Sequence, residues 1–125
     1  MRVQVDGPRI VQDFLKPLIP GVPVRMELPD RWTKGSGPAL VVRSGNSDYS
    51  GRAWTAETVR VTVFADYLPY ARDLISRVDG LLIDRRFVSG VVVSPGVLIA
   101  PVKDTQLGCY VAAVEVTVAS ERKEI

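Results

Sequence analysis

Two periodicities meet in the middle of this chain. From Ala56 to Asp66 apolar and polar side chains alternate. Val59, Val61, Val63 and Ala65 fall on one side, and Arg60, Thr62, Phe64 and Asp66 on the other. A period of two marks a strand with one buried face. The step then lengthens to three and four residues, and Ala71, Leu74, Ile75, Val78, Leu81 and Leu82 form one apolar stripe. Arg72, Asp73, Ser76, Arg77 and Asp79 occupy the opposite side, as in an amphipathic helix. Asp66 is placed to cap that helix, since its carboxylate can accept the first free backbone N–H groups. Pro69 falls in the first turn, where a missing N–H costs little. Asp73 and Arg77 stand at i and i+4 with the acid first, the favourable order. Gly80 is locally unfavourable by about 1 kcal/mol against Ala, which points to close helix packing or a bend. Arg85 and Arg86 close the helix with positive charge, which suits its C-terminus.

The same reading extends outward. Met1 to Val5 frays or adds to an edge. Asp6-Gly7-Pro8 reads as a helix start, and Ile10, Val11, Phe14, Leu15 and Leu18 form its stripe until Pro17 and Pro20-Gly21 end it. Val22 to Leu28 alternates as a strand, with Pro23 at its start or pushing it to a sheet edge. Pro29 to Gly37 is a turn-rich connection, and Pro38 to Ser44 is a second strand with an apolar centre. Phe87 to Val93 is apolar with a break at Gly90, Ser94-Pro95-Gly96 reads as a turn, and Val97 to Val102 as a short strand or extended edge. Lys103 to Gly108 is a further turn. Cys109 to Ala119 is the last long strand, with Ala112, Val114, Val116 and Val118 on one face and Val111, Ala113, Glu115 and Thr117 on the other. The charged stretch from Ser120 to Ile125 is expected to fray.

Gly45 to Thr55 is the longest polar stretch, between two strands that are expected to pair. A tight hairpin needs about two to five residues, so the excess implies a projecting arm. Tyr49, Arg52 and Trp54 are of the types enriched where proteins meet. The competing reading folds Trp54 back as a cap on the core and leaves the rest as a loop.

Segregated strands and two helices indicate an α+β fold: a mainly antiparallel β-sheet of about four to five strands with two helices on one face. The other face, carrying Arg60, Thr62, Glu115 and Thr117 beside Phe64 and Val111, is half polar. It suits solvent, a lumen or a neighbouring subunit better than a second dry core. At 125 residues a single domain spanning the chain is expected. No apolar run approaches the roughly 20 residues of a membrane span, and the N-terminus lacks a signal-peptide core.

The chemistry available is narrow. There is no histidine, which removes the commonest general base and metal ligand, and there is one cysteine, Cys109, read as a small buried residue. No zinc site, cofactor site or catalytic constellation is expected. Gly35-Ser36-Gly37-Pro38 precedes a strand and not a helix, so it is a turn and not a phosphate loop. Arg43, Arg52 and Arg60 form a basic strip if the second and third strands pair, but Asp48 and Glu57 lie nearby and the net charge is only +2.

Taken together, the layout resembles a family. A capped helix ends at a proline before Val22-Pro23-Val24; Pro38 to Val42 reads PALVV; after the polar loop, Val59 to Ala65 reads VRVTVFA and leads into a helix; the last strand reads VAAVEVTV. This is similar to the small tail-terminator (tail-completion) and neck proteins of long-tailed bacteriophages, particularly those of actinobacteria. The resemblance covers nearly the whole chain and rests on layout and spacing. It implies a virion protein assembled in the host cytoplasm, not an enzyme and not a membrane protein. Its subunits would form a homo-oligomeric ring, commonly a hexamer. The ring would cap the tail tube protein, end tube polymerisation and face the head–tail connector, with DNA passing through the lumen without sequence-specific binding. On this reading Tyr49, Arg52 and Trp54 contact neighbouring subunits, and Arg43, Arg60 and Glu115 face the lumen or a partner. A head-to-tail adaptor of the same virion, or a small nucleic-acid-binding domain, are the alternatives.

Overall fold

A computed structural model describes residues 2–3, 6–29, 32–50, 54–84, 87–88, 91–121 and 123–124. The elements are β1 (Arg2–Val3), α1 (Gly7–Leu15), β2 (Val24–Arg25), β3 (Ala39–Ser50), β4 (Trp54–Ala65), α2 (Leu68–Asp84), β5 (Phe87–Val88), β6 (Val91–Asp104), β7 (Cys109–Glu121) and β8 (Lys123–Glu124). The architecture is the expected α+β one, with two helices on a sheet. The main sheet has six strands in the order β2-β3-β4-β7-β6-β5, and β1 pairs with β8 in a separate two-stranded sheet. All pairings are antiparallel except β2 with β3.

The core forms where the two periods meet. Leu40, Val42, Val59, Val61, Val63, Ala112, Val114, Val116 and Val118 line one sheet face and pack on Val11 and Leu15 of α1 and on Ala71, Leu74, Ile75, Val78 and Leu82 of α2. Asp6 caps α1 as its spacing predicts, Oδ1 accepting the N–H of Arg9 at 3.1 Å. Leu18 is not in that stripe. The helix gives way at Lys16 to a 3₁₀ turn, which exposes Leu18 and buries Ile19 instead. α2 starts at Leu68, so its boundary falls on Tyr67, whose carbonyl accepts the N–H of Ala71, and not on Asp66. The Asp73–Arg77 pair is present at 3.2 Å, and Gly80 lies inside a continuous α2 facing open space, not a packed neighbour.

Four strand expectations are corrected. The strand expected over Val22 to Leu28 is only Val24–Arg25, because β3 offers it a partner only at Leu40 and Val41; Met26 beyond it is 42 % exposed. The expected arm is not a loop up to Thr55: β3 runs on to Ser50, and β4 starts at Trp54, with register shifts between Ser44, Ser47 and Tyr49. Ser94-Pro95-Gly96 is not a turn but an irregularity inside β6, which crosses it with a register shift between Pro95 and Leu98. The C-terminal stretch is ordered into strand, as β7 continues to Glu121 and Lys123–Glu124 pairs with Arg2–Val3. The Lys103 to Gly108 turn is as expected: Asp104 Oδ1 accepts the N–H groups of Gln106 and Leu107 at 2.9 Å each, and Gly108 takes φ +70°. No helix among the described residues is long and apolar enough to cross a membrane.

Candidate functional site

The helices cover one face of the sheet, and the chemistry on the opposite face follows from strand register. Three cross-strand rows run across the sheet, two over β3, β4, β7 and β6 and one over β3, β4 and β7. Ala39 pairs with Phe64, Phe64 with Val111 and Val111 with Val102, giving an apolar row. Val41, Thr62, Ala113 and Ile99 form the next row. Arg43, Arg60 and Glu115 form the third. The surface therefore changes from apolar to charged along the strand direction.

The register brings Arg43 directly opposite Arg60, a juxtaposition of like charges that is unfavourable by itself. Glu115 offsets it from the other side, its Oε1 3.6 Å from Arg60 Nη1. Both side chains are partly exposed, at 46 % and 30 %, so the pair contributes at most about 1 kcal/mol. Arg43 turns away and donates from Nε to the carbonyl of Met26 at 3.1 Å. Two of the three arginines foreseen as a strip, Arg43 and Arg60, are thus adjacent, but Glu115 sits in their row, and Arg52 lies outside the described residues. Glu57 does not, because it lies on the helix-bearing side, where Ser44 Oγ donates to its carboxylate.

This face is uneven. Leu28 and Trp32, from the connection between β2 and β3, lie over its β3–β4 half. Trp32 meets Phe64 edge-to-face at 5.7 Å, and Leu28 closes a hollow of about 170 Å³ with Val41, Arg43, Thr62 and Phe64. The β7–β6 half is more open: Val102 is 60 % exposed and Val111 and Ile99 are half-buried, with only the small Ala113 between them buried. A single short apolar strand in the sequence gave no sign that Val102 would share a row with Phe64, since that depends on two separate pairings.

The hairpin residues lie elsewhere. Tyr49 pairs with Ala56 through the backbone, and Trp54 with Glu121. Arg52, with residues 51–53, lies outside the described residues, as do the side chains of Tyr49 and Trp54 and the Arg85-Arg86 pair.

Other groups offer little chemistry. Cys109 is buried as expected; burial pushes its thiol pKa up and the Asp104 carboxylate adds to the shift. Among the described residues no three His, Cys, Asp or Glu side chains are grouped to hold a metal ion. An open groove of about 600 Å³ between α1 and the β2 segment is lined by Gln12, Lys16, Arg25 and Glu27. Its floor is structural, since Gln12 Nε2 donates to the Val24 carbonyl at 3.0 Å. No protein-family model matches the sequence, and none of the curated proteins compared with it does.

Proposed function

We propose that this chain is a structural subunit of the tail end of a long-tailed bacteriophage, closing as a ring on the tail tube and joining it to the head connector. The observation that carries this reading is the long β3–β4 hairpin, which runs past the exposed Arg43 and Ser44 to Ser50 and returns at Trp54. A paired hairpin is stiffer than a loop, because its backbone groups are held in a ladder. It can therefore carry Tyr49 and Trp54, which flank Arg52 in the sequence, to a neighbour with little further loss of entropy on contact. Head-to-tail use of such an element, with one patch meeting a different patch, closes into a ring when the rotation permits. The α+β layout and the half-polar face agree with the tail-terminator resemblance, and a tube cap of this kind needs no catalytic group.

The double variant Arg52→Ala, Trp54→Ala tests the assignment. By light scattering it should run as a smaller species than the unaltered chain, with the same circular dichroism spectrum. An unchanged oligomer would overturn the role of the hairpin.

A further inference from the structure

We infer that the sheet face opposite the helices pairs with the same face of a second copy of this chain, about a two-fold axis running along the strands between β4 and β7. Three observations carry this, none of which involves the hairpin tip.

The first is shape. One half of the face is raised by Trp32 and Leu28 over Phe64 and Val41, and the other half is more open, with Val102 exposed and Val111 and Ile99 half-buried around the small, buried Ala113. Turning a copy face-down about the strand direction exchanges left and right. The raised half of each copy then lies over the open half of the other, and both are satisfied by one contact. A surface complementary to itself is the signature of an isologous interface.

The second is charge. The same rotation keeps each row over its own kind. The Phe64 row, topped by Trp32, comes over Val111 of the other copy, Leu28 above the buried Val41 comes over its Ile99, and Arg60 comes over its Glu115. Each Arg60 then meets two carboxylates and each Glu115 two guanidinium groups. This offsets the like-charge contact of Arg43 with Arg60 within one sheet.

The third concerns the alternative contact, strand addition at the edge. Exposed Val97 and Leu98 on β6 invite it, but Pro95 and Pro101 and two register shifts interrupt the regular row of donors and acceptors that a new strand needs. The open half of the sheet is available through its face and not through its edge.

The test is a charge exchange between copies, read by analytical ultracentrifugation on the full chain. Arg60→Glu places two glutamates together across the axis, and Glu115→Arg places two arginines together. Each variant alone should show half the mass of the unaltered chain, and an equimolar mixture of the two should regain the full mass. The mixture also controls for folding, since a misfolded variant could not restore the pair. Either variant keeping the original mass would overturn the inference, and so would a mixture that stays at half mass. The halving is read whether the unaltered chain is a simple pair or two rings stacked through this face, so the result stands apart from that of the hairpin variant.

Discussion

Glu57 of β4 stands over Gly7 in the first turn of α1, so close that a Cβ on Gly7 would lie 2.7 Å from its Oε1. The sheet thus supplies a carboxylate to the positive end of a helix that already has Asp6 as its cap. Glu57→Gln keeps the size and the contact to Ser44 but removes the charge. It should lower stability by about 0.5–1 kcal/mol in urea unfolding at low salt, and by less in high salt. An equal loss at both salt concentrations would mean that the contact, and not the charge, is what matters.

Two glycines should respond in opposite directions. Gly80 lies in α2 with nothing within 4 Å of an added Cβ and no positive φ, so Gly80→Ala should raise stability by about 1 kcal/mol. Gly96 lies where β6 crosses its irregularity, and an added Cβ there would run into the backbone carbonyl of Glu115, which cannot swing aside. Gly96→Ala should therefore cost about 1–3 kcal/mol through forced backbone shifts. Thermal or denaturant unfolding of the pair of variants checks both signs.

The buried thiol of Cys109 should make the fold sensitive to alkali. Its pKa is raised in the folded chain, chiefly by burial and further by Asp104. The contribution is complete below the unfolded thiol value of about 8.5. Above it the unfolded chain loses its proton first, and stability falls as pH rises toward the folded value. Cys109→Ala should flatten the pH–stability curve above about pH 8.5 and leave its shape at neutral pH unchanged. An identical alkaline slope in the variant would assign that slope to other groups.

What the sequence made legible was whatever depends on one segment alone. The alternation of Val59, Val61 and Val63 and the stripe through Leu74 and Val78 fixed which sides are buried, and all five residues are at most 1 % exposed. Errors arose where a partner decides. Gly45 to Thr55 reads as a projecting arm because it is polar and too long for a tight turn, yet Thr55 and Ala56 have Ser120 and Ala119 of β7 beside them. The last residues looked frayed because they are charged, yet Glu124 pairs with Arg2 across the whole length of the chain. Val22 to Leu28 alternated as a strand should, but most of it has no strand beside it. The candidate surface was half legible for the same reason. Alternation placed Arg60 and Glu115 on the outer face, while the row joining Phe64, Val111 and Val102 depended on register that no local pattern encodes.

The ring reading is tested most directly by the purified chain itself, with light scattering over a concentration series and negative-stain images of the same fractions. The account predicts closed rings of about six subunits in end-on views, with a mass that is a whole multiple of one ring. A monomer at every concentration, with no ring formed on the tube end when tail tube protein is added, would contradict it.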